Sequence, residues 1–180
     1  MDVAWQVVRK EGTEALTLPR LAEQAKIAKP VVYDHFGTRG GLLAVLYQDF
    51  DERQAEIMDA AFQASEPTLE ARASVIATSY VDCVLLQGRE IPGVIAALAG
   101  SPELEEIKRE YQAVFMEKCR TMLAPFAGDI AGAGLRAMLG AAEALSYAAA
   151  TGEITAAQAK AELYETIVAM VARSAHGGAP

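Results

Sequence analysis

Apolar residues recur at intervals of three and four along most of the chain, which is the spacing of one face of an α-helix. Residues 2–10 show the pattern first, with Val3, Val7 and Val8 on one side. Gly12 follows directly, and glycine is the residue that most often ends a helix. The same spacing returns as far as residue 173, so the sequence predicts an all-α protein.

Helix start and stop signals divide this pattern into segments. Thr17 with Pro19 predicts the start of a second helix, and Lys29 with Pro30 predicts the start of a third, which Gly37 ends. Further boundaries are predicted at Pro67, at residues 88–92, at the helix start Ser101-Pro102-Glu103, in a loop at residues 125–129, and in a turn at residues 152–154 before a capping box of Thr155 and Gln158. Two long helices, residues 130–150 and 155–173, close the chain.

The second and third helices are about eight residues each and are joined by a three-residue turn, which is the pattern of a helix-turn-helix. Their inward side chains are predicted to be Leu21, Ala22, Ile27, Val32 and Phe36. The other side chains of the third helix then face outward.

Those outward side chains suit double-stranded DNA. Lys29 lies at a helix N-terminus, where phosphate binds well. Tyr33 and His35 offer hydrogen-bond donors, and Val31 offers an apolar contact to a thymine methyl group. Two short helices with a turn also occur in many all-helical proteins, in which Tyr33 is a half-buried aromatic residue and His35 has no role.

Charge is distributed unevenly along the 180 residues, which carry a net charge of −8. Residues 1–50 hold six basic and six acidic side chains, and residues 51–180 hold ten and eighteen. A neutral N-terminal segment (the head) before an acidic remainder (the body) favours two functions in one chain. The head is not strongly basic, which weakens the case for nucleic-acid binding. We therefore predict a domain at residues 1–48, a second at residues 49–175 and a frayed tail at residues 176–180.

Enzyme chemistry is not indicated by the sequence. The two histidines are His35 and His176, and no cluster of cysteine and histidine has the spacing of a metal site. We predict no cofactor and no metal. Cys83 and Cys119 are interpreted as reduced thiols of a cytoplasmic protein, and no signal peptide or membrane-spanning run is predicted.

The segment TLPRLAEQAKIAKPVVYDHFGTRGGLLAVLY, residues 17–47, resembles the helix-turn-helix of the tetracycline-repressor (TetR) family of bacterial transcriptional regulators. Residues 4–12 are similar to the first helix of that family. The residues that carry the resemblance are Thr17, Leu21, Ala22, Ala25, Ile27, Tyr33, Phe36, Arg39 and Leu42.

The segment departs from the family pattern at four places. Lys26 stands where the family usually has glycine, and Ala28 stands where serine is common. Pro30 and Gly40 are also atypical. Members typically carry a basic arm before the first helix, and Met1-Asp2 supplies none, so we expect either a modest affinity for DNA or a true start upstream.

The resemblance implies a role for each matching residue at the DNA. Phosphate contacts are expected from Thr17, Tyr33, His35 and Arg39, and contacts to base edges from Lys29, Pro30 and Val31. It also implies a homodimer that binds a palindromic operator.

The resemblance further implies that the second domain binds a small-molecule effector and forms the dimer. The candidate ligand-binding residues are Tyr80, Cys83, Val84, Tyr111, Phe115, Met116, Cys119, Met122, Met138 and Tyr147. The candidate dimer contacts are Ala137, Ala141, Leu163, Ile167, Met170 and Val171. Any of these side chains would also suit an ordinary hydrophobic core. The two last helices would then cover the core of their own chain rather than form a dimer.

The function that these expectations describe is a repressor that a small apolar or aromatic ligand releases from its operator. The alternative is a helical dimer that binds a small molecule or a protein partner without specific DNA binding.

Overall fold

The computed structural model describes residues 1–128 and 130–177 of the chain. These residues form α-helices and one short 3-10 turn at Thr13–Ala15, with no strand among them, which confirms the all-α prediction. The helices are α1 (Asp2–Glu11), α2 (Leu18–Ala25), α3 (Lys29–Phe36), α4 (Arg39–Ala64), α5 (Leu69–Glu90), α6 (Pro92–Leu98), α7 (Pro102–Ala127), α8 (Gly132–Thr151) and α9 (Ala156–Gly177).

Several helix ends lie where their capping residues predict. Gly12 ends α1 with a φ of 85°, a left-handed value that glycine adopts without steric cost. The Thr17 side chain accepts a hydrogen bond from the backbone N–H of Arg20 at 3.3 Å and so caps α2. Before α9, the backbone N–H of Thr155 donates to Gln158 at 2.9 Å, and the N–H of Gln158 donates to the Thr155 hydroxyl at 3.2 Å. This reciprocal pair is the predicted capping box.

Two predicted boundaries are wrong. Helix α5 continues through Gly88 to Glu90, so the break predicted at residues 88–92 is confined to Ile91. Helix α7 continues past Pro125 to Ala127, where a loop is predicted; Asp129, the end of that loop, lies outside the described residues.

Packing explains why proline does not end α7. Pro125 removes one backbone hydrogen bond from the last turn of the helix, where few remain to be lost. The residues on either side, Leu123 and Ala127, are buried in the hydrophobic core, which keeps the turn helical. Tertiary burial therefore outweighs the local preference of proline.

The described chain divides into two compact units. The first unit comprises Met1–Arg53 together with Glu90–Glu110, and the second comprises the remaining described residues. Helix α6 and the start of α7 therefore belong with the N-terminal helices, although the sequence divides the chain at residue 48. Gly93 of α6 lies so close to the 3-10 turn that a Cβ atom there would stand 2.5 Å from the Thr13 hydroxyl oxygen. Residues 178–180 of the predicted tail lie outside the described residues.

Trp5 links α1 to α4 in the first unit. Its indole N–H donates to Asp49 at 2.6 Å, and the Arg53 guanidinium lies over its ring at 4.6 Å from the centroid. The Arg53 side chain also lies 3.4 Å from the Asp49 carboxylate. A cation over an aromatic face and a partly buried hydrogen bond both favour this arrangement, so α1 is fixed on α4.

The core of the second unit lies against α8 and α9, which pack on each other. Three polar pairs join helices around it. Lys118 and Asp59 lie 2.7 Å apart, and Lys160 and Asp82 lie 2.6 Å apart. Gln112 donates to Glu143 at 2.8 Å. The largest fully buried side chains of this core are Ile76, Leu123, Ile130, Leu135 and Met138.

The turn between α2 and α3 depends on one residue in an unusual conformation. Lys26 adopts φ 55° and ψ 40°, the left-handed region that side chains other than glycine rarely occupy. The next residue, Ile27, donates its backbone N–H to the carbonyl of Ala22 at 3.0 Å, which closes α2. The chain changes direction here, so that α3 packs against α2.

We expect Lys26→Gly to raise the free energy of unfolding by about 0.5–1 kcal/mol, because glycine has no Cβ to clash in the left-handed region. Gln24→Gly is the matched control: it lies inside α2 on the exposed side, so it should lower stability by about 1 kcal/mol. Urea unfolding of both variants measures the two effects. A loss of stability in both would contradict a strained Lys26.

Candidate functional site

Helix α3 turns one narrow edge inward and leaves the rest of its surface open. Val32 is 3% exposed and Phe36 is half-buried, and these two side chains, four residues apart, form the inward edge. Lys29, Pro30, Val31, Tyr33, Asp34 and His35 are all exposed. A helix of eight residues with six exposed side chains contributes little to a core, so its surface is available to a partner.

Helix α3 begins without a side-chain cap. Ala28 is the residue before its first turn, and no side chain bonds the free backbone N–H groups there. Pro30 is the second residue of the helix, where its lack of an N–H costs nothing. Lys29 is exposed beside it. Free N–H groups and a lysine at a helix N-terminus suit a phosphate oxygen.

Large apolar side chains are exposed at this surface. Val31 is 56% exposed, Ile27 is 47% exposed and Tyr33 is 46% exposed. The sequence predicts Ile27 to lie inward, and that expectation is wrong, because the residue lies at the turn, where only part of its side chain is covered. Exposed apolar groups cost free energy in water unless a partner covers them.

Thr17 and Arg39 differ from the other expected DNA contacts because both have partners within the fold. The Thr17 hydroxyl caps α2 by accepting a hydrogen bond, and its own proton remains available to donate. Arg39 donates to the carbonyl oxygens of Leu16 at 3.0 Å and Thr13 at 2.9 Å. Its Nη2 atom also lies 3.4 Å from the exposed Glu14 carboxylate. Arg39 therefore ties the start of α4 to the segment before α2.

The charges near α3 are few. Arg20 bonds both Glu11 and Glu23, at 2.9 Å and 3.0 Å, and hydrogen bonds to these carboxylates raise the pKa of its guanidinium. Among the described residues, Lys26 and Lys29 have no ion-pair partner. These two lysines are thus the free cations beside the turn.

The candidate ligand-binding residues lie in the second unit in three kinds of environment. Tyr80 and Phe115 are half-buried, and their rings contact each other with centroids 5.0 Å apart. Cys119 is fully buried, and burial raises the pKa of its thiol. The half-buried candidates are Tyr80, Cys83, Val84, Tyr111, Phe115 and Met116; the buried ones are Cys119, Met122 and Met138.

Tyr147 stands apart, because its side chain is 67% exposed. It lies on the outer face of α8 with Ala137 and Ala144, which are also exposed. An exposed tyrosine on a face of small side chains does not enclose a ligand within one chain.

A groove of about 380 Å³ also lies in the second unit, between α4 and α7. Met122 is the one candidate ligand residue among those that line it. The lining residues are Asp59, Phe62, Gln63, Val114, Glu117, Lys118, Thr121 and Met122. The Lys118–Asp59 pair therefore lies at its wall.

Four of the six candidate dimer residues lie in the core of a single chain. Leu163, Ile167, Met170 and Val171 are at most 2% exposed and pack in the core of the second unit. Ala141 is half-buried, and Ala137 is exposed. The exposed residues of α8 include Ala133, Ala137, Gly140, Ala144 and Tyr147, together with the charged residues Arg136 and Glu143.

Sequence periodicity identifies these α9 residues as apolar but does not say which surface covers them. The signal that distinguishes the outer face of α8 is its content of small residues around one tyrosine.

No helix in the described part of the chain is long and apolar enough to cross a membrane. No group of metal-binding side chains was found among the residues at 1–128 and 130–177.

Comparisons with known proteins agree with this geometry. Residues 1–46 match the family of bacterial regulatory proteins named tetR. A TetR transcription regulator from Haloarcula marismortui shares 18% identity with the chain, covers 94% of both chains and has a TM-score of 0.64. No curated protein matches the sequence.

Two further solved structures share the fold. A TetR-family transcriptional regulator from Streptomyces coelicolor has 14% identity, a TM-score of 0.62, and coverage of 97% of this chain and 93% of that one. The fatty acid degradation regulator FadR from Bacillus halodurans has 13% identity, a TM-score of 0.61, and coverage of 94% and 91%. Likeness at such identities shows the fold.

The match of the N-terminal helices supports a DNA-binding regulator. Residues 1–46 match the family model, and the fold of the chain is similar to that of solved TetR-family regulators over 94% of its length.

We expect Arg39→Ala to lower the free energy of unfolding by about 1–3 kcal/mol, because two partly buried carbonyl oxygens lose their donor. Lys29→Ala, at an exposed position, should change stability by less than about 0.5 kcal/mol. Urea unfolding measures both. An Arg39 variant as stable as the unmodified protein would mean that its hydrogen bonds to Thr13 and Leu16 do not stabilise the fold.

Proposed function

We propose that this protein is a transcriptional repressor that binds a palindromic operator as a homodimer and is released by a small apolar or aromatic ligand. The observation that carries the proposal is the outward surface of α3, where six of eight side chains have no place in the core. A helix held in this way fits the major groove, with its N-terminal residues at the base edges.

The chemistry of α3 supports DNA as the partner. Lys29 and the uncapped N-terminus of the helix suit phosphate oxygens, and the Tyr33 hydroxyl is an additional donor. Val31 offers an apolar surface to the methyl group of thymine. We further propose that Thr17 and His35 contact phosphates and that Pro30 lies at the base edges. Arg39 has its partners within the fold, so its contribution is to hold α4 and the turn before α2 in place.

The dimer is proposed because few positively charged side chains lie near α3. Few cations near α3 are free, so a single head has little electrostatic affinity for DNA. Two heads on one palindrome, with half-sites about 34 Å apart, add their contacts in one binding event. The outer face of α8, with its small side chains around Tyr147, supports close approach of a second copy.

The effector is proposed from the half-buried aromatic side chains of the second unit. Tyr80, Tyr111 and Phe115 supply apolar surface with a few hydroxyl groups, which is the composition of sites for small organic ligands. Release from DNA requires that the ligand bind the conformation without DNA more tightly, because equal binding to both conformations shifts nothing. Such a protein acts in the cytoplasm, where the DNA is.

We expect the double variant Lys29→Ala, Tyr33→Ala to lose specific binding to a duplex that the unmodified protein selects. The loss follows from removing the contact of Lys29 to base edges and the contact of Tyr33 to phosphate from each α3. Fluorescence anisotropy at several salt concentrations measures it. The affinity of the unmodified protein should fall steeply as salt rises.

Lys108→Ala is the control, because it removes the same charge from a half-buried lysine of α7 in the same unit. It should bind like the unmodified protein. Full affinity in the double variant would show that α3 is not the DNA-binding surface, and would favour the alternative, a helical dimer without specific DNA binding.

We expect Ala144→Arg to convert the dimer to a monomer, because a long charged side chain prevents close approach at the outer face of α8. Ala60→Arg, at an exposed alanine of α4, should leave the dimer intact. Light scattering after size-exclusion chromatography gives both masses. A dimeric Ala144 variant would place the interface elsewhere.

A further inference from the structure

Asp34 lies at the centre of the outward surface of α3. An α-helix turns by about 100° per residue, so Asp34, two residues from both Val32 and Phe36, lies about 160° around the helix from each. Val32 is buried and Phe36 is half-buried, which means that Asp34 points almost directly away from the core. Tyr33 and His35 flank it on either side.

The fold gives no reason for a carboxylate at this position. Among the described residues, Asp34 has neither an ion-pair partner nor a hydrogen-bond partner. It lies in the last turn of α3, where the helix dipole disfavours negative charge. It also lies on the outward surface, so its negative charge opposes binding to DNA in general.

A carboxylate that opposes general binding can still select one base. An ionised carboxylate only accepts hydrogen bonds. In the major groove, guanine presents two acceptors, thymine presents an acceptor and a methyl group, and adenine presents an acceptor beside its donor. Cytosine presents an amino donor with no acceptor beside it, so it is the one base edge that a carboxylate meets without repulsion.

We propose that Asp34 is the specificity-determining residue of α3, and that it selects a cytosine in each half-site by accepting a hydrogen bond from the cytosine N4 amino group. The inference rests on the proposed function, because it requires α3 to enter the major groove. Asp34 therefore lowers affinity for other sequences and retains it for the selected one.

The test is selection from a randomised duplex library by the full-length protein and four variants, at about 0.15 M salt. The variants are Asp34→Asn, Asp34→Ala, Asp34→Glu and the charge control Glu106→Gln, an exposed carboxylate on α7. Circular dichroism and a melting curve check that each is folded. The readout is the base preference at each position of the enriched palindrome.

The unmodified protein should enrich a palindrome with cytosine at one position of each half-site. Asparagine bonds the adenine edge at two atoms, so Asp34→Asn should change that position to adenine. Asp34→Ala should show no preference there, whereas Asp34→Glu and Glu106→Gln should keep cytosine. Replacing the cytosine should weaken the unmodified protein by about 5- to 100-fold and Asp34→Ala by less than about twofold.

Two results would overturn the inference in distinguishable ways. If the unmodified protein enriches a palindrome and Asp34→Asn and Asp34→Ala keep the same preferences, Asp34 does not read a base and the proposed function stands. If the unmodified protein enriches no sequence, the proposed function fails and this inference fails with it.

Discussion

Burial of Val32 and Phe36 is the constraint on which the outward surface of α3 depends. Helix α3 has eight residues, which is too short for stable helix formation in water on its own. These two side chains fix its rotation about its axis, and that rotation decides that Lys29, Val31 and Asp34 face outward. The hydrogen bonds of Arg39 to the carbonyls of Thr13 and Leu16 hold the neighbouring segments in the same arrangement.

Much of the N-terminal unit could be predicted from the sequence because its signals are local. The helix ends at Thr17, Gly12 and Gly37 each depend on a hydrogen bond to a residue within four positions. The proline in the first turn of α3 acts through its own fixed backbone angle. The capping box of Thr155 and Gln158 was predictable for the same reason. The outward surface of α3 followed from two apolar residues four positions apart.

The remainder depends on contacts that are distant in the sequence. Arg39 bonds carbonyl oxygens 23 and 26 residues away, so its place in the fold cannot be seen from its neighbours. Pro125 remains helical because its turn is buried against other helices. Periodicity marks Leu163 and Met170 as apolar, but only the packed structure shows that their own chain covers them.

The proposed regulator would draw its specificity from few contacts. The chain carries a net charge of −8, and the residues near α3 add little positive charge, so general attraction to DNA is weak. The most direct test is selection of genomic fragments by the purified protein at physiological salt with excess competitor DNA. We expect a palindromic site to be enriched. Recovery of fragments that share no sequence would contradict it.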